Sequence, residues 1–249
     1  MHQQPKVSSA LKKEWDADSV YVWVAVAKLS TDGSLNSNSE IPKGNGIVDG
    51  AMIEGDKLLL YGLFTKISDL SSPRLALVKS DGKLDESFSL ASKGLDGKVV
   101  KVLKQSNGKL VLIGAFNYLD NNKAIQIVRM NVDGTYDSSF ITGTGFNGEV
   151  INAAVDINDK VIVVGTFTNY NGTTVDKIVR LNTDGSLDTS FSPVVTGGSI
   201  DALDVDSNGK VYIGGLFNQV DGVYKVKLAR LNNDGTLDRR YLASQIFGD

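Results

Sequence analysis

Cysteine is absent from the 249 residues, and the only histidine is His2. Without thiols there are no disulfides, thiolate metal sites or cysteine nucleophiles, which excludes a disulfide-stapled secreted domain. With its lone imidazole in a polar leader, the body of the chain has none for a catalytic triad, a proton shuttle or a histidine-based metal site. No apolar run approaches the roughly 20 residues that a membrane helix needs. The opening MHQQPKVSSALKKEWDADSV has a charged start but no apolar h-region, so no signal peptide and no membrane insertion are expected. Charge of one sign is also lacking: 26 Lys and Arg face 29 Asp and Glu, a net charge near −3, with both signs scattered. That is not the basic footprint selected by phosphate backbones, so nucleic acid is not an expected partner. No Gly-x-Ser-x-Gly elbow, phosphate loop or metal-ligand helix is present.

What the chain has in quantity is itself. The stretch IVRLNTDGSLDTSF, from Ile178 to Phe191, is written five times with small changes, beginning at Val26, Leu75, Ile127, Ile178 and Leu228. The Asp-Gly pairs begin at Asp32, Asp81, Asp133, Asp184 and Asp234, in steps of 49, 52, 51 and 50. A fixed period of this length signals a repeat architecture.

Between these elements a second block recurs: DKLLLYGLF from Asp56, GKLVLIGAF from Gly108, DKVIVVGTF from Asp159 and GKVYIGGLF from Gly209. Each opens with a turn pair and continues as an apolar, β-branched run, the signal of a buried strand. The segments before them, GIVDGAMIE, GKVVKVLKQ, GEVINAAVD and GSIDALDVD, read as partner strands. The joints at Gly55-Asp56, Asn107-Gly108, Asn158-Asp159 and Asn208-Gly209 read as tight hairpin turns whose two central residues tolerate positive φ. A third strand carries Ile-Val-Arg-Leu, and a short fourth is expected around Ser-Phe.

Four meandering strands per period of about 50 residues is the signature of a propeller blade. The expected fold is therefore all-β: a β-propeller of four-stranded blades, five in number with one incomplete, or four blades plus an extra two-stranded element. Residues 1–19 form a polar leader and 20–249 one repeat domain, the N-terminal copy from Val20 to Ser39 supplying only the last two strands.

The repeated letters have expected structural uses. Gly62, Gly114, Gly165 and Gly215 stand two residues before Phe64, Phe116, Phe167 and Phe217; the glycine relieves crowding at a strand end and the ring fills space between blades. Arg129, Arg180 and Arg230, with Lys28 in the first copy, stand four residues before their Asp-Gly, and Asp137, Asp188 and Asp238 follow on its far side. These pairs are expected to form a structural latch repeated in each unit. The second copy departs, with Leu77 in the aligned position and Lys79 two residues later on the same face.

Two stretches resemble calcium loops: Asn182-x-Asp184-Gly185-x-x-Asp188, and Asp204-x-Asp206-x-Asn208-Gly209. The second opens like an EF-hand but has Gly215 where the bidentate glutamate belongs. Asx turns explain both, so no metal or cofactor is expected. Carboxylates are numerous enough for a paired-carboxylate glycoside hydrolase, yet most stand at turn positions, and no catalytic residue is assigned.

The least repeated segments are the loops from Thr65, Asn117, Thr168 and Asn218, at equivalent places in their units. Tyr118, Asp120, Asn121, Tyr170, Asn171, Asp221 and Tyr224 give this loop face aromatic plates and hydrogen-bonding groups, a mixture suited to a sugar or a protein surface.

Together these elements resemble the delta-60 repeat family, whose units read R-L-N-x-D-G-S-L-D-x-S-F after a strand ending in Gly-x-Phe; residues 178–191 match that pattern almost letter for letter. The N-terminal copy departs with Lys28 and Asn36, and the last ends Arg239-Arg240-Tyr241. The resemblance implies a β-propeller of bacterial surface, secreted or phage structural proteins, with no catalytic residues to carry over. The expected function is a non-catalytic assembly or adhesion module in a virion or at the bacterial surface, binding other protein subunits and possibly a surface glycan. The alternative is a lectin.

Overall fold

A computed structural model describes residues 44–67, 70–88, 94–225 and 227–241. The leader, the N-terminal copy from Val20 to Ser39, and the tail after Tyr241 lie outside the described residues. Among those described, the regular structure is entirely strand.

The first unit contains β1 (Val48–Glu54), β2 (Lys57–Gly62), the short pair β3 (Lys66–Ile67) and β4 (Leu70–Ser71), and β5 (Leu75–Val78). The second repeats this order as β6 (Lys98–Lys104), β7 (Leu110–Ala115), β8 (Tyr118–Leu119), β9 (Asn122–Lys123) and β10 (Ile127–Met130). The third gives β11 (Val150–Val155), β12 (Val161–Gly165), β13 (Asn169–Tyr170), β14 (Thr173–Thr174) and β15 (Ile178–Leu181). The fourth opens with an additional β16 (Val195–Thr196), followed by β17 (Ile200–Val205), β18 (Val211–Gly215), β19 (Gln219–Val220), β20 (Val223–Tyr224) and β21 (Leu228–Leu231).

Each unit folds into an antiparallel meander: β1-β2-β5, β6-β7-β10, β11-β12-β15 and β17-β18-β21. The all-β propeller expectation holds. The expected fourth strand shrinks to one bridge across the Asp-Gly turn, Val78 to Leu84, Met130 to Tyr136, Leu181 to Leu187 and Leu231 to Leu237. The turn is tight enough to fold the chain back beside the third strand, and the following Asp-x-Ser then bends it away: Phe140 and Phe191 donate their amides to Asp137 and Asp188.

The main hairpins also differ from expectation. In units two to four only one turn residue has positive φ, Gly108 at 81°, Asp159 at 60° and Gly209 at 75°. Gln105 N donates to Lys109 O and Gly108 N to Gln105 O. This is a three-residue loop with one left-handed residue, so Asn107, Asn158 and Asn208 need no positive φ. The two-residue turns with both φ values positive lie elsewhere, at Asn171-Gly172 and Asp221-Gly222.

Every inner strand carries a register shift, between Val48 and Gly50, Val99 and Lys101, Val150 and Asn152, and Ile200 and Ala202. Opposite each shift sits Gly62, Gly114, Gly165 or Gly215, where a Cβ would run into the carbonyl oxygen of Ile47, Lys98, Glu149 or Ser199. The bulge presses the inner backbone onto its neighbour, and only glycine leaves room.

The core lies between sheets. One cluster joins Leu59 and Leu77 to Leu110 and Leu112; the next joins Val111 and Ile113 to Val161 and Val163; a third joins Ile162 and Val164 to Val211 and Ile213. Phe116, Phe167 and Phe217 are fully buried within these layers. Inner strands are successive neighbours, β1 with β6, β6 with β11, and β11 with β17. With inner strand against inner strand, the sheets share an inner edge as the blades of a propeller do.

Candidate functional site

The third strand of units two and three carries a buried arginine whose head joins four groups. Arg129 donates from Nε to Asp137 Oδ2 at 2.6 Å, from Nη2 to Ser139 Oγ at 3.0 Å and from Nη1 to Gln105 Oε1 at 3.3 Å. Arg180 donates from Nε to Asp188 Oδ2 at 2.8 Å and from Nη1 to Asp156 Oδ2 at 3.4 Å. Both guanidinium groups lie over an aromatic ring, Arg129 4.8 Å from the centroid of Phe140 and Arg180 4.7 Å from that of Phe191.

The fourth contact crosses to the next unit. Arg129 Nη1 donates to the carbonyl of Thr183, and Arg180 Nη1 to that of Asn233. Thr183 and Asn233 immediately precede the Asp-Gly pairs of units three and four. Each arginine thus clasps the turn of the following sheet.

The carboxylates are as heavily engaged. A second cation, Lys109 or Lys160, reaches Asp137 or Asp188 at 2.8 Å, and Ser139 or Ser190 donates its hydroxyl to the other oxygen. Burial would raise these two carboxyl pKa values, but the lysine, serine and arginine donors together hold them well below the usual carboxylate range.

The end units vary the theme. In the first, Leu77 packs into the apolar layer. Lys79 is exposed, and the cation on Asp85 is instead Lys57, at 2.5 Å. Hydrogen bonds from Lys57 and Ser87 bring the Asp85 pKa down to about 2. In the fourth, Arg230 donates to Asp238 at 3.0 Å and to the Tyr212 hydroxyl at 3.2 Å, over the ring of Tyr241.

The residues of the loop face divide. Asp120, Asn171 and Asp221 occupy hairpin turns with φ of 55°, 47° and 50°. Each side-chain Oδ1 accepts an amide from the chain entering the unit, that of Gly94, Thr144 or Val194. Asp221 Oδ2 also accepts Leu237 N at 2.9 Å. These three groups hold loops together, a use that their spacing alone did not disclose. Tyr170 corrects the expectation of a surface plate: it is 1 % exposed, its ring 4.6 Å from Phe146 and its hydroxyl donating to Gly185 O at 2.5 Å. Burial pushes its pKa far up. Tyr118 and Tyr224 do stand in solvent, 47 % and 73 % exposed, and Asn121 is exposed beside the first.

Sequence reasoning missed Asn45, Asp96 and Asn147, each one residue before a unit's leading glycine. Their Oδ1 atoms accept paired amides, Thr65 and Lys66, Asn117 and Tyr118, and Thr168 and Asn169. The signal was available as an Asn or Asp at the same repeat position. The calcium-like stretches are Asx turns in the structure: Asp184 Oδ1 accepts both the amide and hydroxyl of Ser186, and Asp206 Oδ1 accepts Asn208 N and Lys210 N. No group of three or more His, Cys, Asp or Glu among the described residues is placed to hold a metal ion. No described helix is long and apolar enough to cross a membrane.

Among solved structures, the chain is similar to the gluconolactonase XC5397 from Xanthomonas campestris, with 14 % identity and a TM-score of 0.49 over 88 % of this chain and 69 % of that one. A protein of unknown function from Bacteroides caccae gives 15 % identity and a TM-score of 0.44 over 85 % and 72 %. YCF48 bound to D1 peptide gives 14 % and 0.42 over 82 % and 56 %. No curated protein matches the sequence. A family model described as "Domain of unknown function (DUF5122) beta-propeller" matches residues 56–88, 105–140, 158–191 and 207–240, more than half of the chain. Each match runs from the main hairpin of a unit through its third strand and past its Asp-Gly turn, and the chain belongs to this DUF5122 β-propeller family.

Proposed function

We propose that the chain is a non-catalytic assembly or adhesion module, a component of a phage virion (tail- or capsid-associated) or of a bacterial surface, that binds other protein subunits. The observation carrying this reading is a division of labour. The recurring Arg, Lys and Asp side chains spend their hydrogen bonds on one another and on the next unit's turn, while the variable hairpins extend Tyr118 and Tyr224 into solvent. Exposed tyrosines on rigid turns are good protein anchors because they bring large contact area at small entropic cost. The likeness of residues 178–191 to delta-60 repeats points the same way. Cross-linking of the native source particle or cell envelope tests it: Lys123, paired with Tyr118 across its hairpin, and Lys225, next to Tyr224, should join to a different protein. Cross-links confined to the chain itself would overturn the proposal.

A lectin is the second reading, favoured by one detail. Gln219 pairs with Tyr224 across β19 and β20, setting an amide beside an exposed ring, and a sugar is bound by stacking on such a ring with hydrogen bonds at its edge. A glycan array separates the readings: a lectin retains a defined glycan and loses it in Tyr224→Ala, whereas the assembly module retains none.

A further inference from the structure

We propose that Lys101 and Asn152 condense into an isopeptide bond, a covalent staple between the inner strands of the second and third units. The argument begins with the lysines of β6. Lys98 pairs with Asp49 at 3.0 Å and Lys104 with Glu54 at 2.6 Å, both reaching back to β1. Lys101, between them, turns forward instead and donates from Nζ to Asn152 Oδ1 on β11 at 2.9 Å. A carboxylate holds an ammonium as an ion pair, whereas a carboxamide carries a leaving group that an amine can displace.

The strands set the two side chains for that reaction. Lys101 and Asn152 are each the first residue after the register shift of an inner strand, opposite Ile113 and Val164, so the repeat places them at one level on neighbouring strands. With Nζ 2.9 Å from Oδ1, the carbonyl bond length puts Nζ at most about 4.1 Å from Cγ. Bonds form from about 3–3.5 Å, a rotation of the amine away. The backbone amide of Ala153 also donates to Asn152 Oδ1, at 2.9 Å. It draws charge from Cγ and stays in place to hold the oxyanion formed on attack. On either side the strands bury Val99, Val102, Val150 and Ala153. Burial lowers the Lys101 pKa from its ordinary value, which favours the neutral amine, while the charge of Asp204 on β17 works the other way.

The step balances with nothing added. The lone pair of neutral Nζ attacks Cγ and forms the new C–N bond. As the carbonyl forms again, the bond from Cγ to Nδ2 breaks, and Nδ2 leaves as ammonia with the proton that Nζ gives up. Asp204, whose charge reaches Lys101, carries that proton. The staple fastens the second unit to the third at their inner edge, as Arg129 fastens them at the Asp-Gly turn. A module that bears load in a particle or envelope gains from a link that unfolding does not undo, but the bond itself does not depend on that reading.

Mass spectrometry of the full chain, incubated at neutral pH and then denatured, tests it. The chain should weigh about 17 Da less than its sequence requires, the mass of one ammonia, and a protease digest should contain a branched peptide joining Lys101 to Asn152. Lys101→Arg and Asn152→Ala should each restore the full mass while keeping the far-UV circular dichroism of the sheets. Asp204→Asn should form the bond about a hundredfold more slowly, the low end for losing a placed proton carrier. A cyclic imide at an Asn-Gly pair such as Asn107-Gly108 gives the same loss of ammonia, but it persists in Lys101→Arg and disappears on mild alkaline hydrolysis; that result would overturn the proposal. So would the full sequence mass with no branched peptide. Bond formation at the native rate in Asp204→Asn would overturn the role given to that carboxylate.

Discussion

Asp188 accepts Arg180, Lys160 and Ser190 on two oxygens while 7 % of its side chain meets solvent. Removing one member of such a group leaves the others desolvated and unbalanced, which costs more than the group contributes when whole. Arg180→Leu should destabilise by about 3 kcal/mol, the lower end of the range for breaking a buried pair, because Lys160 still neutralises the carboxylate. Asp188→Ala should cost more, about 5 kcal/mol, since it strands two cations. Urea titrations with an unchanged slope would check the order; equal losses would show that Lys160 carries no share. Leu77 occupies the aligned position of the first unit inside an apolar layer, and Lys57 pairs with Asp85 there, so a blade can be built without the arginine. The arginine's particular contribution is therefore the bond to the neighbouring turn. The low carboxyl pKa values also set a pH window. Asp85 is held at about 2 against an ordinary 3.8, and Asp137 and Asp188 are held below their ordinary value. The unfolded chain then takes up protons first as pH falls, so this stabilisation is complete above about pH 4 and is lost towards pH 2. Melting temperatures should be level from neutral pH to about 4.5 and fall below it, and Asp188→Asn should show a shallower fall.

At the scale of the strand and turn, adjacent glycines in β18 make opposite demands. A Cβ on Gly215 would collide with the Ser199 carbonyl, whereas one on Gly214 would meet the Ala202 Cβ at 3.4 Å and the Lys227 carbonyl oxygen at 3.6 Å, both ordinary contacts. Gly214→Ala should be neutral or stabilising by up to about 1 kcal/mol through the unfolded chain. Gly215→Ala should cost about 1–3 kcal/mol by forcing the bulge apart. Thermal melts of the two variants decide it, and similar losses would mean that the bulge yields freely. The sequence carried this glycine legibly because it recurs at the end of each apolar strand, and it carried the strands for the same reason: Val161–Gly165 is apolar and β-branched throughout. Three features were not legible. The closing strand reads as apolar residues on either side of Asp-Gly, but Asp188 turns its side chain back onto Ser190 and ends the ladder after one bridge. The Asn-Gly at 107–108 takes a three-residue loop because Gln105 and Lys109 pair across it, a register set by the strands and not by the dipeptide. Tyr170 looks like Tyr118 in the sequence, yet Phe146 and the Gly185 carbonyl draw it inward. Tyr118 and Tyr224 make no such contact among the described residues and remain outside.

Across the whole molecule, each sheet packs chiefly on its sequence neighbours, so stability should follow position in the row. The third unit has a sheet on both sides: Val161–Gly165 and Ile178–Leu181 are buried at every residue. In the first unit Val48–Glu54 alternates between half-buried and exposed, and in the fourth Leu228–Leu231 alternates between half-buried and buried. Native-state hydrogen exchange should therefore be slowest in β12 and β15, open only on global unfolding, and be faster in β1 and β17 through local opening. Protection in β21 should fall in Arg230→Ala, while that in β12 falls only as far as global stability does. Equal protection in β1 and β12 would mean that the inner edge of the first sheet is covered after all, and that a further strand, from this chain or another, completes the axis.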